Sequence, residues 1–97
     1  MQKKFEFLYD ASHGWLKVTD GDLRTVGLTR DDFSAYSYCF GDTLYLEEDC
    51  DAYTFARAYR REFGTDPSVI ELSDGIESPI RGLDRLSPSL NFDEIPF

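Results

Sequence analysis

The stretch TLYLEEDCDAYTFARAYRREF (residues 43–63) changes its hydrophobic period halfway along, and this change decides the fold. Leu44 and Leu46 alternate with Tyr45, which is the period of two that indicates a strand with one buried face. Beyond this strand, apolar residues follow helical spacing, at i, i+3, i+4, i+7 and i+11; they are Ala52, Phe55, Ala56, Tyr59 and Phe63. The stretch therefore predicts a strand followed by a helix over 49–63, with Asp49 as N-cap and Gly64 as stop signal.

Further strands are predicted on both sides of this stretch. YSYCF (36–40) alternates and is joined to TLYLE by Gly41-Asp42, which indicates a hairpin. KKFEFLYD and WLKVT alternate around the turn-prone ASHG and form an earlier hairpin, and SVIEL (68–72) is a fifth short strand. The sequence therefore predicts an α+β fold, an antiparallel sheet of four to five strands in two hairpins with one main helix packed on one face.

Two short helical turns are predicted between the hairpins. Thr19 precedes Asp22 by three residues and Thr29 precedes Asp32 by three, the spacing of a capping box. The apolar residues near these turns are expected to face inward; they are Leu23, Val26, Leu28 and Phe33.

The chain length and the prolines suggest how the domain is organised. A chain of 97 residues corresponds to about one small domain. We expect residues 1–75 to form a compact domain. Residues 76–97 hold three of the four prolines and form a C-terminal segment docked on the body or on a partner. Within it, Ser78 as N-cap and Pro79 at the first helical position predict a short helix through Leu86.

The charge balance limits the classes of partner. Nineteen acids oppose ten bases, a net charge of -9, and residues 31–56 contain seven acids and no base. Direct binding of nucleic acid or of an anionic membrane is disfavoured, because both need Lys and Arg to neutralise phosphates. A partner with a basic surface is favoured. The apolar runs are too short for a membrane span or a signal peptide, so a cytoplasmic protein is expected.

The acids around the start of the helix have three interpretations. Asp49 and Asp51 fit a helix N-terminus, where the macrodipole favours negative charge, but Asp42, Glu47 and Glu48 lie on strand ends and loops. A calcium site is disfavoured, because EEDCDAYTF lacks the central glycine and closing glutamate of an EF-hand loop. Mimicry of nucleic-acid phosphates on a rigid hairpin is the third interpretation. A merely solvated acidic face remains open beside it.

Enzymatic chemistry is weakly indicated. His13 is the only histidine, and a hydrolase would pair it with Ser12, Cys39 or Cys50 and with Asp10. A nucleophile next to its base in sequence seldom reaches it in a useful geometry. Cys39 and Cys50 lack CxxC spacing and are interpreted as free thiols. We therefore expect no enzyme, cofactor or metal, with a small enzyme using His13 as the second alternative.

SHGWLKV followed by YSYCFGDTLYLEEDCDAYTFARAY resembles a group of small acidic proteins of phages and other mobile elements. The similar stretch covers residues 5–59, a little over half of the chain, and the proline-containing tail departs from the pattern. The resemblance implies an anti-CRISPR-like or anti-restriction inhibitor that occupies the nucleic-acid-binding surface of a host defence complex in the host cytoplasm. It assigns no role to individual residues.

The predicted function is therefore that of a non-enzymatic acidic inhibitor, a DNA mimic that binds a basic surface on a protein such as a CRISPR effector complex. The predicted binding residues combine acids with two aromatic anchors; they are Asp42, Tyr45, Glu47, Glu48, Asp49, Asp51 and Tyr53. The first alternative is a regulatory or structural interaction module that uses the apolar C-terminal residues Phe92, Ile95 and Phe97. The sequence leaves the oligomeric state undetermined.

Overall fold

A computed structural model describes residues 3–86 of the chain. The elements follow in the order β1 (Lys4–Tyr9), β2 (Gly14–Thr19), α1 (Asp20–Thr25), β3 (Tyr38–Phe40), β4 (Thr43–Glu47), α2 (Asp51–Phe63), β5 (Ser68–Ser73) and β6 (Asp84–Arg85). Short 3₁₀ helices lie at Arg30–Asp32 and Pro79–Gly82. The six strands form one sheet in the order β5-β1-β2-β4-β3-β6. The predicted α+β class is confirmed.

The sheet is mixed, so the prediction of a purely antiparallel sheet was wrong. Both predicted hairpins are present, β1 with β2 and β3 with β4. β5, however, runs parallel to β1, with Phe5 in register with Val69. Parallel neighbours need a long crossover connection, and α2 supplies it by leading the chain from β4 to the far edge beside β1. The sixth strand, β6, has two residues, which is too short to produce a periodic pattern.

One face of the sheet carries the larger core, covered by the two helices. Phe55 is fully buried there, and its ring packs edge-on against Phe5 with 5.3 Å between centroids. The predicted inward residues behave as expected, because Leu23, Val26 and Phe33 are buried and Leu28 packs against the same cluster. Leu44 and Leu46 of β4 are fully buried in this core, which confirms the period of two in that strand.

The second face carries a smaller cluster of Trp15, Tyr38 and Ile80. Ile80 belongs to the 3₁₀ helix Pro79–Gly82, whose N-cap is Ser78 as predicted, although the helix ends at Gly82 and not at Leu86. The chain then pairs β6 with β3, and the Leu86 amide donates to the Ser37 carbonyl at 2.7 Å. The start of the C-terminal segment thus packs on the body. The predicted contact residues Phe92, Ile95 and Phe97 lie outside the described residues.

The ends of the helices follow the sequence signals with one exception. Both capping boxes are present, Thr19 with Asp22 and Thr29 with Asp32. Gly64 ends α2 in the left-handed region, at φ 76°, and its amide donates to the Arg60 carbonyl. The prediction of Asp49 as N-cap was wrong: α2 starts at Asp51, and the N-cap residue Cys50 makes no side-chain capping bond.

Candidate functional site

Three exposed or half-exposed acids lie together where β4 ends and turns into α2. Glu47 is in register with Trp15 of β2, and the Glu48 amide donates to the Gly14 carbonyl at 3.1 Å. The Asp49 amide donates in turn to the Glu47 carboxylate. These contacts tie the acidic turn to the end of the β1–β2 hairpin, so the backbone positions of the acids are set by the sheet.

A fourth acid joins them from another strand. Glu71 lies on β5 in register with Phe7 of β1. Glu71 and Glu48 line the same hollow of about 280 Å³ beside the β1–β2 turn. No local pattern in the sequence indicates this neighbour, because the parallel position of β5 beside β1 depends on long-range pairing. Glu47 and Asp49 line a second hollow, which shares His13 with the first, and Glu71 lies on the larger-core face of the sheet whereas Glu47 lies on the second face. We refer to Glu47, Glu48, Asp49 and Glu71, which border these two hollows, as the acidic surface.

The acidic surface is not neutralised by Lys or Arg. Among residues 3–86, the one ion pair that involves its members joins His13 Nδ1 and Glu48 Oε1 at 3.9 Å, and it is charged only when the imidazole is protonated. Other acids do have basic partners: Asp20 pairs with Arg30 at 2.8 Å and Asp22 with Lys3 at 2.7 Å. Within residues 3–86 these four carboxylates thus form no ion pair with Lys or Arg, as is also true of other exposed acids such as Asp31 and Asp42.

A groove of about 540 Å³ on the second face borders the acidic surface. Two arginines lie over its aromatic floor, with the Arg81 guanidinium 5.3 Å from the Trp15 ring and that of Arg85 4.7 Å from the Tyr38 ring. Arg81 is held by Asp10, and Arg85 donates to the Ala35 carbonyl at 3.1 Å. Both guanidinium groups thus have partners other than Glu47 and Asp49, which line the same groove.

Asp10 is a structural carboxylate that the sequence analysis had considered only as part of a catalytic set. It accepts hydrogen bonds from the amides of Ser12, His13 and Ser78 and from the Arg81 guanidinium, with Arg81 Nε at 2.7 Å. Arg81 and these amides hold the pKa of Asp10 well below its usual range. The side chain ties the β1–β2 turn to the C-terminal segment. Its carboxylate is thus directed to Arg81 and the amides, whereas a catalytic orienter would hold the imidazole ring.

Asp51 lies inside the protein, although the sequence analysis placed it among the partner-binding acids. It is 3% exposed, and one carboxylate oxygen accepts from the Ser34 amide at 3.0 Å, the Ser34 hydroxyl at 2.7 Å and the Ser37 hydroxyl at 2.5 Å. The Ser37 hydroxyl accepts in turn from the Glu47 amide at 2.9 Å. Asp51 therefore supports the acidic surface from behind, by connecting α2, the loop before β3 and the end of β4.

The three other predicted binding residues lie apart from the acidic surface. Asp42 occupies the turn at the opposite end of β4, five residues from Glu47, or about 17 Å of strand. Tyr45 is half-buried and packs against the second-face cluster. Tyr53 is 61% exposed on α2, with the Arg57 guanidinium 5.6 Å from its ring. Of the predicted set, the structure brings together Glu47, Glu48 and Asp49.

Comparisons of the chain with models of protein families, with curated proteins and with solved structures find no match. The resemblance to phage proteins thus gains no support from them. Among the helices of residues 3–86, none combines the length and apolarity that crossing a bilayer requires. Over the same residues, no group of three or more His, Cys, Asp and Glu side chains is arranged to hold a metal ion.

Proposed function

We propose that this protein is a non-enzymatic inhibitor that binds a basic, nucleic-acid-binding surface of another protein through its acidic surface. One observation carries the proposal: four carboxylates border two adjoining hollows at one end of the sheet, Glu48 and Glu71 one hollow and Glu47 and Asp49 the other, and within the described residues none has a Lys or Arg ion partner. Duplex DNA carries about one negative charge per 1.7 Å of axis, and a protein surface that binds it gains affinity by releasing counterions. Carboxylates held on an ordered backbone can pair with the lysines and arginines of such a surface.

The backbone of the acidic surface is held in place by hydrogen bonds, and this supports the proposal. Glu47 is held through its amide by Ser37, and Ser37 is held by the buried Asp51. Glu48 is held through its amide by Gly14. A backbone that is already ordered loses little conformational freedom on binding, so only the side chains have to be ordered and more of the electrostatic attraction appears as affinity. Asp51 thus contributes by holding the backbone of Glu47 through Ser37. Tyr53 is an exposed aromatic residue that is available to a partner.

The class of partner follows from the resemblance to mobile-element proteins. We propose a host defence complex of the CRISPR type, with the inhibitor made by a phage or another mobile element and acting in the cytoplasm of the host cell. The net charge of -9 supports a basic protein partner and disfavours direct contact with nucleic acid.

The test uses purified CRISPR effector complexes loaded with guide RNA and measures whether the protein blocks their binding to target duplex. The test variant combines Glu47→Gln, Glu48→Gln, Asp49→Asn and Glu71→Gln. A matched control removes four charges elsewhere, with Asp31→Asn, Asp42→Asn, Glu62→Gln and Asp66→Asn, all at exposed positions. Asp42 belongs in the control because it lies at the far end of β4.

We expect the test variant to bind at least about 100-fold more weakly and with a smaller salt dependence, because close charge pairs in interfaces each contribute about 1.5 kcal/mol or more. The control variant should stay within about threefold of the parent, since long-range effects of net charge are screened by salt. Equal losses in the two variants would mean that only the overall charge matters. Binding that survives about 0.5 M salt would direct attention to the apolar C-terminal segment.

A further inference from the structure

The two edges of the sheet differ in how they are protected against pairing with another strand. Natural edge strands are kept short, or carry charges, Pro or bulges, because their unpaired N–H and C=O groups invite a further strand. The β6 edge follows this rule, with two residues, Asp84 and Arg85, both charged. The β5 edge does not: it has six residues, SVIELS, with Glu71 as its one charge.

The β5 edge also exposes apolar side chains on both faces. Val69 and Ile70 are each 44% exposed and Leu72 is 39% exposed. The register with β1 places Val69 beside Phe5 on the face of the larger core, whereas Ile70 and Leu72 lie beside Glu6 and Leu8 on the second face. An exposed edge strand of this length and composition is a site for strand addition.

We propose that the β5 edge is a self-association surface, on which the β5 strands of two copies of this chain pair antiparallel about a two-fold axis. A second copy fits because the strand is complementary to itself in one register. In an antiparallel pair, residues directly opposite each other lie on the same face, so the two-fold axis passes through a residue position.

Two axis positions allow five of the six residues of β5 to pair. With the axis at Glu71, two glutamates stand directly opposite, which is destabilising for like charges. With the axis at Ile70, this isoleucine stands opposite the partner's Ile70. Leu72 then stands opposite the partner's Ser68, and Glu71 stands opposite the partner's Val69. The charge of Glu71 therefore selects the Ile70 register. This pairing also joins two six-stranded sheets into one continuous sheet.

The net charge gives this interface an unusual salt dependence. Two chains of charge -9 repel each other, and salt screens that repulsion while leaving backbone hydrogen bonds and apolar contacts in place. Self-association through β5 should therefore become stronger with salt. Binding of a basic partner by the acidic surface should become weaker, so the two events are distinguishable in the same preparation.

The first experiment is sedimentation equilibrium of the full chain at about 0.1 M and about 0.5 M NaCl. We expect a reversible monomer–dimer equilibrium that shifts toward dimer at the higher salt. Ile70→Lys should leave a monomer, because it places two ammonium groups opposite each other at the two-fold axis. Tyr53→Lys is the matched control, an exposed aromatic residue on α2, and should associate like the parent.

A second experiment tests the register and does not depend on the lysine variant folding. In a Cys50→Ser background, Ile70→Cys should form a disulfide-linked dimer under mild oxidation, because directly opposite residues lie within disulfide reach. Val69→Cys, which keeps Glu71, should cross-link poorly, since its symmetry mate is a diagonal neighbour about 7–8 Å away. A monomer at both salt concentrations, a dimer insensitive to Ile70→Lys, or preferential linkage through Val69→Cys would each overturn the proposal.

Discussion

Replacing Asp51 by alanine should destabilise the fold far more than replacing any acid of the acidic surface. One oxygen of the Asp51 carboxylate accepts three hydrogen bonds, from the Ser34 amide, the Ser34 hydroxyl and the Ser37 hydroxyl. Ser37 is completely buried, and Asp51 is 3% exposed. The alanine variant therefore leaves buried donors that water reaches poorly.

The size of the loss follows from these contacts. Hydrogen bonds to a charged group contribute about 1.5–3 kcal/mol each, and a buried donor left without an acceptor costs about 1–3 kcal/mol. Removing the buried carboxylate also removes its own desolvation penalty of several kcal/mol, so the terms largely offset one another. We expect a net loss of about 3–4 kcal/mol in the free energy of unfolding for Asp51→Ala. Asp51→Asn keeps an oxygen acceptor without the charge and should lose about 1–2 kcal/mol.

The assay is urea denaturation followed by the fluorescence of Trp15, the one tryptophan of the chain, which is 2% exposed in the folded state. Asp49→Ala is the control, because Asp49 is an exposed acid two residues away, and it should stay within about 0.5 kcal/mol of the parent. If Asp51→Ala is no less stable than Asp49→Ala, the carboxylate does not hold the loop before β3, and Asp51 returns to the set of candidate surface acids.

Three further predictions concern other contacts. Asp10→Asn should destabilise the protein at neutral pH. Because the pKa of Asp10 is lower in the folded than in the unfolded state, the ionised carboxylate contributes to stability above about pH 4, and this contribution is lost as the pH falls. In urea denaturation, the difference in the free energy of unfolding between variant and parent should therefore become smaller in acid. Phe55→Ala, at a fully buried ring in the larger core, should lower the free energy of unfolding by about 3–5 kcal/mol, and a loss below about 1 kcal/mol would contradict the packing. Gly64→Ala should cost about 1 kcal/mol by calorimetry, because the residue ends α2 at φ 76°, where a Cβ is unfavourable; an unchanged midpoint would argue against that backbone conformation.

The elements with strong local signals were predictable from the sequence. The alternation in β1, β2 and β4 and the helical stripe in α2 identify the strands and the helix, because burial of one face imposes the period directly. Both capping boxes follow from Thr and Asp three residues apart. Pairing at long range was less accessible: β5 lies parallel to β1 because of where α2 delivers the chain, and no residue within SVIELS encodes its neighbour.

The candidate site shows the same limit. Glu47, Glu48 and Asp49 were identified because they are adjacent in the chain. Glu71 lines the same hollow as Glu48 because of the β1–β5 register, which no adjacent residues indicate. Asp51 looked equivalent to Asp49 by sequence, since both follow a strand and precede a helical stripe. Their environments differ because the Ser34 and Ser37 donors approach Asp51 from the loop before β3.

The acid-only run of residues 31–56 therefore overstates the size of any binding surface. Asp32 satisfies a helix cap, Asp51 holds the interior, and Asp42 lies in a turn at the far end of β4. The turn after β4 holds three neighbouring acids of the run, and Glu71 from outside the run lines the same hollow as Glu48. A buried carboxylate such as Asp51 cannot contact the lysines and arginines of a partner, although hydrogen bonds from neutral donors leave its charge intact. A decoy for phosphates thus depends on acids that are both exposed and near one another, and neutralising Glu47, Glu48, Asp49 and Glu71 tests this more sharply than removing the same charge from scattered positions.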